Sequence, residues 1–302
     1  MKGFKDPKFV PEAGPPNVFK ERLEGMNIGA TVVELPSSEA LGENRLLRID
    51  ITDAEKWGSE EGARKLVPFF GELAWQAFRK ERKEEFEITN AVHQKEAIED
   101  MDKANFSETD HIYVINDGER AIAFLAVEDV ELVDDEKSCL VGLNVVHRER
   151  RNEGIGREPY RYIFSSGEYE TVLGCSNTPS AVKARLQMGD EYGYTGYYCG
   201  WKNGWYGEHG TEEQEERVGK ISRDVQEIYA ESGTTIPLGD MPEHTVVVKE
   251  DVVPIPPLKE TDINFGPGDA GLDGTFRNWF LPMQEKNLPN TTYGILLNIR
   301  GS

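Results

Sequence analysis

The sequence predicts a mixed α/β (α+β) fold, in which a mostly antiparallel central sheet carries helices on both faces. Three observations lead there. From residue 111 to 133 the apolar residues alternate, and Asn116-Asp117-Gly118 interrupts them as a hairpin turn would. "SCLVGLNVV", 138–146, is apolar almost without break, as a central strand is. A glycine-bearing turn, a helix-length segment and the short strand "TVLGCS", 171–176, follow it. A strand-helix-strand crossover makes its two strands parallel, while the hairpin makes its own antiparallel, so the sheet is mixed.

Taken in order, residues 1–44 are rich in proline, glycine and charge. With "PEAGPPNVF" reading as extended chain, they are expected to form an N-terminal arm. "RLLRIDI", 45–51, is a strand. Ser59 caps a helix to about Arg82, with Leu66, Phe69, Phe70, Leu73, Ala77 and Phe78 at helical spacing. A second helix is expected over 94–104. The hairpin follows, then a turn at "DDEK", 134–137, and the strand 138–146. A helix is expected from 155 to 167, and another from 179 to 189 with Gly189 as its cap. "YGYTGYYCGW" reads as a strand with a turn. Beyond 200, Thr211 and Gln214 make a capping box before a helix whose face is Val218, Ile221, Val225 and Ile228. "HTVVVKEDVVPIPP" reads as a strand ended by prolines, "INFGPGDAGLDGTF" as a loop, and "TTYGILLNIRG" as a last strand.

At 302 residues, 38% hydrophobic and 10% aromatic, the chain has enough apolar material for a sizeable core. Its 55 acidic against 34 basic residues give a formal charge of -21, which argues against a nucleic-acid partner. That charge fits solubility in a crowded medium, and it fits a cationic partner such as an amine or a lysine-bearing protein. Cys139, Cys175 and Cys199 are odd in number and lack zinc-ligand spacing, so free thiols in a reducing cytoplasm are expected, with no metal. Neither a signal peptide nor a run of about 18 apolar residues is seen, so a soluble cytoplasmic protein without membrane contact is expected.

Chemistry concentrates in "LNVVHRERRNEGIGREPYRYIF", 143–164. Arg148, Arg150 and Arg151 stand in this acidic chain just before Gly154 and Gly156. The first amides of a helix are unpaired, and its dipole adds positive charge there. Glycines let backbone approach a ligand closely. Together these predict a phosphate or diphosphate cradle. The nucleotide P-loop lacks its Gly-Lys-Ser/Thr here, and the dinucleotide fingerprint would need glycine at Pro159.

Arg151-Asn152-Glu153-Gly154-Ile155-Gly156 matches R-x-x-G-x-G, and "SNTPSAVKARLQMG" follows the next strand. In these residues, and in the order of elements from 45 to 198, the chain resembles the GCN5-related N-acetyltransferase (GNAT) superfamily. The resemblance covers about half the chain. It divides the chain into the arm 1–44, a GNAT-like domain 45–200 and a C-terminal extension 201–302. It implies acetyl-CoA as co-substrate, with its diphosphate held by residues 151–156. Amides of Val145 and Val146 are implied near the thioester carbonyl, on a bulged strand that splays from its neighbour to admit the pantetheine arm. Asn177 is implied as a pantetheine contact. A tyrosine that serves the family as acid falls at Arg185, or at Ala184, and neither residue does that work. Tyr192 is the favoured substitute, ahead of Tyr194, although an aromatic there also fits as packing. Glu128, expected opposite about Leu143 with Asp129 and Glu131 on the other face, is the candidate base, and it equally fits a solvated strand face. His147 is a further candidate for base or phosphate ligand. Pro159 is a departure expected to remove a helix bond.

Two functions follow. One is direct transfer of acetyl from acetyl-CoA to a primary amine, with the acceptor between the 59–104 helices and "YYCGWKNGWYG", where Trp201, Trp205 and Tyr206 could line it. The other is a catalytically degenerate GNAT-like component of an assembly, whose terminal arms wrap neighbours in a homo-oligomer or a virus particle.

Overall fold

The expected hairpin nucleates a much wider sheet. In the computed structural model the described residues are 17–36, 38–78, 85–103, 106–132, 136–151, 153–176, 179–198, 201–202, 220–221, 224, 234–238, 241–248 and 292–301. Their strands are β1 (Ala30–Glu34), β2 (Arg45–Ile51), β3 (His111–Asn116), β4 (Ala121–Glu131), β5 (Lys137–Val146), β6 (Thr171–Ser176), β7 (Tyr194–Tyr198), β8 (Trp201–Lys202), β9 (Thr234–Leu238), β10 (Met241–Val248) and β11 (Thr292–Arg300). The helices are α1 (Val18–Glu24), α2 (Ala54–Trp57), α3 (Glu60–Leu66), α4 (Glu72–Phe78), α5 (Ala91–Lys103), α6 (Glu158–Ser166) and α7 (Pro179–Glu191).

The strands form one eleven-stranded sheet in the order β1-β2-β3-β4-β5-β6-β11-β10-β9, with β7 also on β11 and β8 on β7. Among these pairs only β5 and β6 run parallel. The mixed, mostly antiparallel sheet expected from the sequence is therefore present, with helices on both faces. On one face α1 to α5 pack Phe19, Leu23, Trp57, Phe70 and Leu73 against Leu47, Ile112, Phe124 and Val145. On the other, α6 and α7 bring Ile163, Phe164 and Met188 onto Tyr113, Leu125, Cys139 and Val172.

Several elements differ from expectation for identifiable reasons. Residues 17–44, expected as an arm, supply α1 and the edge strand β1. Asn17 caps α1, and Phe19 and Leu23 are buried. A proline-rich composition masked a helix of seven residues. The helix from Ser59 is divided by one π-type turn, Val67–Gly71. Pro68 explains it, since proline donates no amide and its ring crowds the carbonyl four residues back. The loosened turn rotates Glu72 and Gln76 toward the end of β5. Helix α7 runs two residues past Gly189, and the left-handed residue behind it is Gly193, at φ +83°. Gly189 is instead a packing glycine, where any β-carbon would collide with Asn298. Pro159 lies at the second residue of α6, where no intrahelical amide is needed. Of the capping-box helix, only residues 220, 221 and 224 are described, and the 249–291 segments lie outside the described residues. Among the described residues no helix is long and apolar enough to cross a membrane.

The sheet face beyond the C-terminus of α6 is covered by charge. His111 Nδ1 lies 2.8 Å from Asp50, and Nε2 lies 3.4 Å from Asp129. Tyr169 donates to Asp129 at 2.8 Å, Arg48 pairs with Asp50 at 2.7 Å, and Glu168 bridges Arg48 and Lys137. Burial alone would lower the His111 pKa, but Asp129 and Asp50 outweigh it and the value is raised. Burial would raise Asp129, but bonds from His111 and Tyr169 outweigh that, and the value is lowered. The His111 contribution is whole below the unfolded histidine value of about 6.5 and drains as pH rises through its higher folded value. The Asp129 contribution is whole above the unfolded aspartate value and drains as pH falls through its lower folded one. The exchange His111→Gln is expected to cost about 1–3 kcal/mol near pH 6, and distinctly less at alkaline pH, above the raised folded value. Urea unfolding across that pH range checks this, and an equal cost at both ends would contradict it.

Candidate functional site

The site is built where β5 leaves β6. Asn144 pairs with Leu125 and Val141 with Val127, so Gly142 and Leu143 together oppose Ala126. That is a β-bulge, and it reverses which side chains face which way. Before it, Cys139 and Val141 pack under α6 and α7, and after it Leu143 and Val145 pack on the opposite face. Pairing with β6 ends at the same place. Val141↔Gly174 is the last parallel pair, although β5 continues to Val146 and β6 to Ser176. The two strands part into a crevice.

The His147 amide donates to the Ile122 carbonyl at 2.8 Å. In the antiparallel alternation that fixes, Val145 also turns its amide to β4, and the amides of Asn144 and Val146 turn to the crevice. Of the two valines proposed from sequence, only Val146 offers its amide on that side.

The turn that follows is held close to β5. Gly154 has φ +80° with no atom within 4 Å of where a β-carbon would stand. At Gly156 a β-carbon would come 2.7 Å from Val146 Cγ2, so only glycine lets the chain pass. Ile155 is buried and pins the turn. Asn144 Nδ2 donates to the Gly156 carbonyl at 3.0 Å. Among the described residues the amides of Gly154, Ile155 and Gly156 have no hydrogen-bond partner, and Arg157 donates back to the Gly154 carbonyl at 3.0 Å. These bare amides stand before the positive end of α6. The basic residues are partly committed. Arg150 pairs with Glu153 at 2.8 Å, Arg151 donates to the Val146 carbonyl at 3.2 Å, and Arg148 is exposed.

His147 is buried, so it serves neither as an exposed base nor as a phosphate ligand. Its Nδ1 accepts the Glu149 amide, and its Nε2 lies 3.1 Å from both Glu72 and Gln76. Gln76 also accepts the Arg148 amide at 3.2 Å. The hydrogen bond from His147 holds the Glu72 carboxyl below the usual carboxylate range. The network fastens the turn to α4.

The break is flanked by Asn144 and Val146 of β5 and by Gly174 of β6, with Arg185 of α7 against Gly174. Arg185 is only 4% exposed, and it donates to Asn298 Oδ1 at 3.1 Å and to the Val172 carbonyl at 2.7 Å. A β-carbon at Gly174 would collide with its guanidinium and stand 3.0 Å from the Val141 carbonyl. The Tyr160 phenol shares a hydrogen bond with Asn144 and feels the charge of Arg185. Burial pushes its pKa up, and Arg185 and Asn144 partly offset that. Asn144 Oδ1 is buried without a well-formed hydrogen bond. The sequence reading missed both Tyr160 and Arg185. A signal existed for the second: Val182, Arg185, Leu186 and Gly189 follow the period of a buried helix stripe, and an arginine there needs a reason.

The other candidates fall as follows. Glu131 pairs with Lys137, which sets Glu128 opposite Leu140 rather than Leu143, because the strands pair about residue 134 and not about the middle of 134–137. Glu128 is half-buried, on the face away from α7. Tyr192 does not reach the crevice. It is exposed beyond α7, beside Tyr194↔Arg300, at the end where β6 begins, whereas the crevice opens where β6 ends. Tyr194 is buried and donates to the Tyr169 carbonyl at 2.6 Å. Asn152, Asn177, Cys199, Trp205 and Tyr206 lie outside the described residues. Trp201 is in β8.

No protein-family model matches the chain, and no curated protein does. Among solved structures, the protein PH1933 from Pyrococcus horikoshii OT3 is similar over 60% of this chain and 92% of its own, at 11% identity and a TM-score of 0.30. A "putative acetyltransferase" from Thermoplasma acidophilum is similar over 63% and 78%, at 15% identity and a TM-score of 0.27.

Two glycine exchanges test the site's construction. Gly174→Ala must displace a buried guanidinium and is expected to cost about 1–3 kcal/mol. Gly154→Ala meets no atom and carries only left-handed strain, about 1–2 kcal/mol. Thermal melting of both variants checks this, and an unchanged midpoint for Gly174→Ala would contradict the packing described.

Proposed function

We propose that the protein transfers an acyl group from an acyl-CoA, acetyl-CoA in the first instance, to a primary amine. The observation that carries this reading is the set of bare amides at Gly154, Ile155 and Gly156 set beside two parallel strands that part. A diphosphate satisfies such amides and the dipole behind them. An amide-rich pantetheine arm suits a crevice whose wall offers the amides and carbonyls of Asn144 and Val146.

In this reading the coenzyme enters over α6 with its diphosphate on the turn, and its thioester lies toward the bulge. Backbone amides there polarise the thioester carbonyl and hold the charge that builds on its oxygen. The amine must be neutral to attack. Glu128, half-buried on the acceptor face, receives the proton that the amine gives up. Nitrogen bonds to the carbonyl carbon, the carbon–sulfur bond breaks, and the thiolate leaves and is protonated. The acidic surface draws cationic amines.

Calorimetric titration of the full chain with acetyl-CoA, CoA and pantetheine tests the reading. Both CoA compounds are expected to bind, and pantetheine, lacking the diphosphate, at least tenfold more weakly. Release of free thiol in the presence of primary amines is expected, and Glu128→Gln should slow it about a hundredfold. No binding of CoA at millimolar concentration would refute the reading and leave the assembly role.

A further inference from the structure

We propose that His147 is a positioning residue for the anion turn, and that Glu72 fixes it in the one tautomer able to do this work. This rests on the acyl-transfer reading above and names what keeps the amides of 154–156 where a coenzyme diphosphate meets them. His147 takes no part in the chemistry of that reading. It is nevertheless 2% exposed, with both ring nitrogens and both backbone groups engaged.

The distances admit one arrangement of protons. The Arg148 amide can only donate, so Gln76 turns its side-chain oxygen there, at 3.2 Å. The Gln76 NH2 then lies 3.1 Å from both His147 Nε2 and Glu72 Oε1, and His147 Nε2 is itself 3.1 Å from that oxygen. A bare Nε2 would set its lone pair against the carboxylate. Nε2 therefore carries the proton, and both N–H groups point at Glu72. On the other side of the ring, Nδ1 keeps its lone pair and accepts the Glu149 amide at 3.4 Å. The tautomer is set from α4 and read by the turn.

This choice decides where the turn begins. As the chain leaves β5, His147 donates to the Ile122 carbonyl, Arg148 to Gln76, Glu149 to the His147 ring and Arg150 to the His147 carbonyl. Every amide from 147 to 150 thus has a partner, and the start of the turn is held in register on β5. The bare amides of 154–156 follow from that start. The other neutral tautomer has a partner waiting. With the proton on Nδ1, the ring would turn to the Glu149 carboxylate, whose Oε2 is 3.8 Å away, and expel the Glu149 amide. That carboxylate otherwise faces Arg120, also at 3.8 Å. The Glu72 carboxylate opposes the switch, because it would then face a lone pair.

The test reads tautomer and ligand separately. Nitrogen NMR of histidine-labelled protein is expected to show His147 protonated at Nε2 alone, both in the unaltered protein and in Glu72→Gln, whose amide oxygen still accepts. In Glu72→Ala, a truncation at a side chain 40% exposed, the proton is expected to move to Nδ1. Calorimetry with CoA is expected to find Glu72→Gln close to the unaltered protein and Glu72→Ala weaker by about tenfold, the worth of a well-placed hydrogen bond. Pantetheine, which has no diphosphate, should bind all three alike. Asparagine at 147 caps the Glu149 amide with its own oxygen and needs no tautomer. The double variant Glu72→Ala, His147→Asn should therefore regain CoA affinity. A proton on Nδ1 in the unaltered protein, unchanged CoA affinity in Glu72→Ala, equal losses of CoA and pantetheine, or a double variant no better than Glu72→Ala overturns the role and leaves acyl transfer standing. Absence of CoA binding by the unaltered protein overturns both.

Discussion

Everything at the site depends on one interruption, the end of hydrogen bonding between β5 and β6 after Val141↔Gly174. A parallel pair between strands of this length would ordinarily continue, because unpaired amides and carbonyls inside a protein are costly. Here three features stop it together. The bulge at Gly142–Leu143 re-aims the edge of β5. Gly174 admits the Arg185 guanidinium from α7, and Asn144 turns to the Gly156 carbonyl. The amides of Asn144 and Val146, turned away from β4, face this break.

The surrounding structure holds that interruption open. On one side the Glu72–His147–Gln76 network ties the end of β5 to α4. Pro68 makes this contact possible by forcing the wide turn that rotates α4 into phase. On the other side Asn298, toward the end of β11, holds Arg185 in place. The crevice is thus braced by residues far apart in sequence, and neither wall stands alone.

Local patterns were legible in the sequence and long-range ones were not. The hairpin at Gly118, the parallel crossover and the glycine turn could be read because each is set by a few adjacent residues. The bulge could not, since it exists only as a mismatch between β4 and β5, and the register of Glu128 shifted with the turn that follows β4. The place of Arg185 could not be read either, since Asn298, which anchors it, is far away in sequence. Tyr192 was misplaced for the opposite reason. It is near α7 in sequence, but α7 carries the chain back along the whole length of β6.

The position of β11 bears on how the protein is made. It lies between β6 and β7, so the middle of the sheet has a vacant lane when β7 emerges from the ribosome. Thr292 comes 94 positions after Tyr198, and at a synthesis rate of about 5–20 residues per second that lane stays unfilled for several seconds. During that time β6 and β7 present open edges, and Arg185 lacks the side chain that anchors it. Open edges of this kind are templates for pairing with other chains, so the interval before the last strand arrives is the one in which mispairing is open to this chain.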